Sequence, residues 1–385
     1  MMTSSVRKKK LLFAKPRREN TDKLTIYTIS QIFNQLVWFK ELVMSMYAFV
    51  GANQTAKVDA IFLCMRQVID SMLQSILIDR HDYELQVNRI TDGIKKLDIA
   101  IEQLSIKSLY PRLIKLDLVI NSPPKELVLL GIQTVLEGII NEPLRVVVDT
   151  PKGTQTKIKV YSSNTFKINH GVAYVGKDGN KVSGDSFMFE EFTNGQTCVA
   201  ISDGMGNGDL AHEESSQALK VIKGFLSFDF SVAEAIQALQ LLKSSANTDE
   251  RFFSLDTCMI DRERQKATFY KKGATPSFII RKDDVIEVRL DQLPIGVVVD
   301  KDVDFVKIDL QESDLIVMCS DGIFEQYPNL DEFKEVLLAH RMLVPKMFSK
   351  KLLHQTIEKG KGKIKDDMMV VSIKYDKQTV LQRCV

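Results

Sequence analysis

Apolar side chains recur at helical spacing early in the chain. Val58, Ile61, Phe62, Met65, Ile69, Met72 and Ile76 form one face at a period of about 3.6 residues, so residues 22–110 read as helix. A second stripe, Ile90, Ile94, Leu97, Ile101 and Leu104, steps by four and three as a heptad seam does. Such a seam either pairs with a second copy of the chain or lies on neighbouring helices, and about two heptads favour the intramolecular arrangement. Gly51 and Asn53 break the pattern between the first two helices and Pro111 ends the third. From Leu113 the texture changes: "LIKLDLVI" reads as extended, residues 124–140 as helix, and "LRVVVD" and "TKIKVYSS" as extended again. Residues 113–164 are therefore a small α/β unit linking the helical region, 22–112, to the carboxy-terminal half of the chain.

Between residues 165 and 376, short β-branched runs alternate with two helical blocks. Strands are predicted at Gly171–Val175, Thr197–Asp203, Leu255–Asp261, Ala267–Lys272, Ser277–Arg281, Val285–Leu290, Asp314–Ser320 and Val370–Tyr375. Helices are predicted at 210–227, 231–245, 330–340 and 345–359, the second opened by Ser231 with Glu234 three residues on. Antiparallel strands with helices inserted in pairs imply an α+β architecture, sheets covered by helices.

Composition narrows the class. The 385 residues are 44% hydrophobic and 26% charged with a formal net charge of +2, as in ordinary globular proteins, so nucleic acid is not an expected partner. The basic run "RKKKLLFAKPRR" belongs to a solvated tail, residues 1–21, and residues 377–385 form a second tail. Cys64, Cys198, Cys258, Cys319 and Cys384 are odd in number and lack metal-ligand spacing, which suits a reducing compartment. The uncharged run Leu24–Phe39 is too short and polar for a membrane helix, and no signal peptide is evident, so a cytoplasmic protein without a transmembrane segment is expected.

Four acidic residues share one local context, the end or beginning of an extended segment beside a small residue. They are Asp185 in "VSGDSF", Asp203 in "AISDGMG", Asp321 in "VMCSDGIF" and Asp366 in "KIKDDMMVV". Strand-end aspartates sit on a sheet rim, and several rims can converge. Carboxylates gathered closely repel unless a cation or proton compensates, and oxygen ligands without His or Cys suit Mg2+ or Mn2+. Two such ions about 3.5–4 Å apart can activate a water for in-line attack on phosphorus. Each "DG" is equally a turn former. "DGMGNGD" also permits an EF-hand register with Asp203, Asn207, Gly208 and Glu214 at positions one, five, six and twelve, although Met205 takes a ligand position and a strand precedes it. A phosphate cradle would need a Lys-Ser/Thr where this chain has acid. Cys198 and Cys319 lie inside apolar strands and read as core; His212 is either a surface residue or a proton donor at a helix start.

The ordered series "SGDSF", "ISDGMGNG", "TDERFFSLD", "KGATPSF", "LPIG", "SDGIFE" and "KDDMMVV", spanning about Thr165 to Tyr375, resembles the metal-dependent PPM (PP2C-type) serine/threonine phosphatases, most of all the stage II sporulation protein E branch. The resemblance implies an α-β-β-α sandwich with a two-metal centre of Mn2+ or Mg2+ on one rim. Asp185, Asp203, the Gly204 carbonyl, Asp321 and Asp366 would hold the metals, and Asp367 stands where many members have asparagine, its role left open. It further implies a phosphorylated anti-anti-sigma substrate of the STAS type, whose dephosphorylation leads to sigma-factor activation. Three departures stand out. The many-helix membrane region of that branch is not expected here, "DDMM" replaces the usual "DDMT", and the helical region carries no matching motif, occupying only the place of a regulatory or dimerising segment. The alternative is a phosphatase-like interaction protein of weak or no activity, for which Met369 and the added helices are the motive.

Overall fold

The computed structural model describes residues 35–49, 55–109, 114–121, 123, 125–152, 155–163, 166–180, 182–192, 195–206, 208–244, 252–262, 264–297 and 302–377. The basic tail, the breaks at Gly51, Asn53 and Pro111, Asn207 and Cys384 lie outside the described residues.

The chain begins with helix α1, described over 35–49, and a long helix α2, Thr55–Lys95. The helical seam does not run on to residue 104. The chain reverses at Asp98, which takes a left-handed φ of 57°, and β1, Ile101–Ser108, follows. Strand pairing to β2, Lys115–Ile120, outweighs helical spacing here, and Ile101 and Leu104 serve the sheet instead. Next come α3, Glu126–Ile140, β3, Leu144–Lys152, and β4, Gln155–Ser162, completing an antiparallel sheet of order β1-β2-β4-β3. Ile90 and Ile94 of α2 are fully buried with Ile132 and Leu136 of α3 against Leu116, Leu118, Ile158 and Val160 of that sheet. The seam is thus satisfied within the chain, and the small unit takes in the end of α2 as well as residues 113–164.

The remaining elements are β5, Phe166–Val175; β6, Asp185–Glu191; β7, Gln196–Gly204; α4, Asp209–Ser227; α5, Val232–Ser244; β8, Phe253–Asp261; β9, Lys266–Lys272; β10, Ser277–Arg281; β11, Asp284–Val288; β12, Val306–Asp309; β13, Asp314–Cys319; α6, Asp321–Phe324; α7, Leu330–Ala339; α8, Pro345–Lys359; and β14, Met368–Lys377. They form two five-stranded antiparallel sheets, β11-β10-β13-β14-β5 and β12-β9-β8-β7-β6. β6 and β12, the two edge strands of the second sheet, lie outside the predicted set.

Alternation along the strands builds the layers. In β7, Val199 and Ile201 enter the core between the sheets, whereas Cys198 and Ala200 face α4 and α5. In β14, Met369, Val371 and Ile373 point between the sheets while Met368 and Val370 face α7 and α8. Fully burying each such side chain contributes about 1.5–3 kcal/mol. The result is an α-β-β-α sandwich. The predicted cap of α5 forms: the Glu234 amide donates to Ser231 Oγ at 3.2 Å and the Ser231 amide to Glu234 Oε2 at 2.7 Å.

The amino-terminal helices pack on the sandwich through α4 and α5. Leu42 and Met46 of α1 and Ile61, Cys64 and Val68 of α2 share one buried cluster with Ile222 and Phe225 of α4 and Leu239 of α5. Gly224 lets α1 approach closely, since a Cβ there would lie 2.5 Å from Leu42 Cδ1. Among the described residues no helix is long and apolar enough to cross a membrane.

Candidate metal centre

Strand pairing brings the first two predicted aspartates together. Asp185 opens β6 directly opposite Asp203 near the end of β7, and Gly204 follows opposite Phe253. Asp321 begins α6 immediately after β13, and Asp366 and Asp367 precede β14, the neighbour of β13. Strand ends from both sheets thus deliver the acidic residues to one rim.

Gly204 is where α4 comes closest to β7: a Cβ there would sit 2.3 Å from the Ala211 carbonyl oxygen. Gly206 and Gly208 carry φ of 99° and 77°, backbone that side chains rarely adopt, so the turn from β7 into α4 depends on glycine. Glu214, the twelfth position of an EF-hand register, is instead paired with Lys243 of α5, which removes it as a ligand.

The electrostatics of the rim are those of crowded carboxylates. Asp185 is 2% exposed, and both its oxygens are buried without a hydrogen-bond partner. Burial, above all, pushes its carboxyl up to about 7; Ser320 and Asp203 lie near enough to oppose the rise, and Asp367 and Asp321 add to it. No donor reaches either Asp185 oxygen in hydrogen-bonding geometry, so the burial effect dominates. Asp203 is pushed up to about 9, first by burial and then by the charges of Asp185, Asp321, Asp366 and Asp367. Asp321, exposed as a whole residue, is raised by the partial burial of its carboxyl and then by the charge of Asp366. Ionised together, these groups need a compensating cation, and the orphaned Asp185 carboxylate is the place where one fits.

Among the described residues, no three acidic, imidazole or thiol groups close on a single point as a ready chelate.

Asp367 has a hydrogen-bonding task of its own. Its Oδ1 accepts from the Lys177 amide at 2.8 Å and its Oδ2 from the Gly184 amide at 2.7 Å. Two acceptor oxygens are required, which a carboxylate has and an asparagine lacks. Asp367 therefore pins the β5–β6 connection that places Asp185.

Sequence reasoning did not single out the hydroxyls around this turn. Ser215 of α4 donates to the Gly184 carbonyl at 2.6 Å and lies 2.7 Å from Ser186 Oγ, tying α4 to the residues on either side of Asp185. His212 is exposed, with Nδ1 2.9 Å from the Ser183 carbonyl, to which it donates. Cys198 and Cys319 are buried core residues with thiols pushed well above their ordinary range by burial. Met369, 2% exposed, packs between the sheets, so its thioether fills core space where a threonine would have offered a hydroxyl. A groove of about 740 Å³ starts at Asp185 and follows β6 and α4 past His212 to Lys220 and Lys223.

Paired five-stranded sheets between helix pairs, with acidic residues of both sheets at one rim, are the architecture of a PP2C-type phosphatase domain. The family profile described as stage II sporulation protein E (SpoIIE) matches residues 193–376. Over 325 residues the chain is 30% identical to stage II sporulation protein E of Bacillus subtilis (strain 168), covering 82% of this chain and 39% of that protein. Against the Priestia megaterium protein the identity is 30% over 325 residues, covering 81% and 55%. The solved PP2C phosphatase domain with a fragment of the regulatory domain of SpoIIE from B. subtilis superposes with a TM-score of 0.69 at 30% identity, covering 83% of this chain and 95% of that one. The chain belongs to the stage II sporulation protein E family. It spans 39% and 55% of the length of the two sporulation proteins it matches.

Proposed function

We propose that the protein is a Mn2+- or Mg2+-dependent phosphatase acting on phosphoserine or phosphothreonine in a protein, with Asp185, Asp203, the Gly204 carbonyl, Asp321 and Asp366 holding two ions. The single observation that carries this reading is the buried, unpartnered carboxylate of Asp185 among the other rim aspartates. When bound, the ions supply Lewis-acid activation of water and charge compensation at the phosphoryl group. The chain's own part is positional. Asp367 and Ser215 fix the Asp185 turn. The groove along β6 and α4 admits the phosphorylated segment, and Lys220 and Lys223 give its far end cationic side chains, Lys223 being paired with Glu190.

Membership of the SpoIIE family supports a phosphorylated STAS-type anti-anti-sigma factor as substrate, and thereby control of a sigma factor in the cytoplasm. The packing of α1 and α2 on α4 supports regulation from the amino-terminal helices, because α4 starts directly after the metal-side turn. For a homodimer through the helical region, the opposite face of α2, where Phe62, Leu63 and Ile69 are exposed, offers apolar surface.

The test is Mn2+-dependent phosphate release from phosphorylated STAS proteins, beside Asp203→Ala. Release abolished in the variant is expected. Full activity in Asp203→Ala refutes the ligand set. Tight Mn2+ binding without turnover of any phosphoprotein supports the interaction-protein alternative.

A further inference from the structure

The motifs "TDERFFSLD" and "KGATPSF" contain none of the predicted ligands, yet the fold joins described residues of both into one buried polar cluster. Asp256 ends the first motif on β8; Lys271, directly before the second, is its cross-strand neighbour on β9. Lys271 is fully buried and Asp256 is 3% exposed. All three ammonium protons are used: Lys271 Nζ donates to Asp256 Oδ2 at 2.6 Å, to Ser277 Oγ at 2.8 Å and to the Thr275 carbonyl at 2.7 Å. Ser277 Oγ donates in turn to Asp256 Oδ2 at 2.7 Å. The cluster crosses between the two sheets, since Ser277 opens β10.

Stability alone does not account for such a pair. Replacing a buried ion pair by apolar residues is often neutral or stabilising, and here Asp256 Oδ1 is also left without a partner. What the cluster does is hold Thr275, whose Oγ1 donates to the Cys319 carbonyl at 2.6 Å. Cys319 ends β13, two residues before Asp321, and the intervening Ser320 accepts the Met369 amide at 2.8 Å on the β14 side.

We infer that Lys271, Asp256 and Thr275 form a positioning relay that fixes the turn from β13 into α6 and with it the presentation of Asp321 to the rim. The inference rests on the reading of Asp321 as a ligand. None of the three residues touches the reacting atoms.

The test uses the full chain with Thr275→Val, which removes the hydroxyl at nearly constant volume, and Thr275→Ser, which keeps it. Two quantities are read: amide hydrogen exchange over residues 318–324 in the metal-free protein, and Mn2+ affinity by calorimetry. Loss of a supporting hydrogen bond behind a ligand typically weakens metal binding about 10–100-fold. Thr275→Val is expected to raise exchange in that segment and weaken Mn2+ binding at least about tenfold, with Thr275→Ser near wild type in both. Unchanged exchange and affinity in Thr275→Val overturn the relay, as does a Thr275→Ser variant as impaired as Thr275→Val. A wild-type chain that takes up no Mn2+ overturns the ligand reading instead, and the exchange measurement then supports or overturns the relay by itself.

Discussion

Adding one methyl group at Gly204 tests whether the turn from β7 into α4 is as tightly built as the metal reading requires. The new Cβ would stand 2.3 Å from the Ala211 carbonyl oxygen, 2.9 Å from its carbon and 3.0 Å from Ala211 Cα. Ordinary contact needs roughly 3.5 Å, so α4 must move from β7 by about 1 Å. Overpacking costs about 1–3 kcal/mol, and backbone on both sides places Gly204→Ala near the upper end. At about 2–4 °C per kcal/mol for a chain of this size, the metal-free protein should melt about 6–12 °C lower. Gly171→Ala is the matched control, since its Cβ would lie 2.3 Å from the Lys346 amide at the start of α8, on the other sheet. Thermal unfolding should show comparable losses for both variants, whereas calorimetry should show at least about tenfold weaker Mn2+ binding, about 1.4 kcal/mol, only for Gly204→Ala. A Gly204→Ala protein melting within a degree of wild type refutes the close approach. Equal Mn2+ affinities in the two variants refute the assignment of this turn to the metal centre.

Other expectations concern the same rim and its surroundings. Asp185 and Asp203 have folded pKa values raised to about 7 and about 9, so the metal-free fold binds more protons than the unfolded chain. The stability they confer is complete below pH of about 4 and is lost as pH rises to about 9, so the metal-free melting temperature should fall across that window while stabilisation by Mn2+ grows. Asp203→Asn should flatten the slope and raise the metal-free melting temperature at pH 8; an unchanged slope contradicts the crowding. Met369→Thr restores the "DDMT" pattern but removes a thioether from the inter-sheet core, and should lower the melting temperature while leaving Mn2+ affinity within about threefold; a large gain in affinity would show that the missing hydroxyl matters to the metals. Leu42→Ala opens the α1–α4 contact at a cost of about 2–5 kcal/mol, and should change Mn2+ affinity if the helices regulate the site. Truncation at residue 110 is a poorer test of that regulation, because it also removes β1 from the small sheet.

The sequence by itself determined an α+β architecture of sheets covered by helices and nominated the acidic residues of its rim, and the family resemblance implied the sandwich. Strong local signals fixed them: β-branched runs ending in aspartate, helix boundaries at Pro345 and the Ser231 cap, and the ordered motifs around Asp185, Asp203, Asp321 and Asp366. These signals act over a few residues, through backbone geometry and side-chain periodicity, so they are legible one segment at a time. Tertiary structure decided everything that depends on what lies across the gap. Ile101 and Leu104 keep helical spacing to Ile94, yet pairing with β2 makes them strand residues. Asp367 gives no sign in sequence that its two oxygens each accept a backbone amide from the β5–β6 connection. Glu214 fits a calcium register until Lys243 arrives from α5, and Lys271 gives no sign in sequence of being buried between two sheets. In each case the deciding partner is remote along the chain and near in space, and the energy of a carboxylate or an ammonium group is set by the charges and donors that share its low-dielectric surroundings.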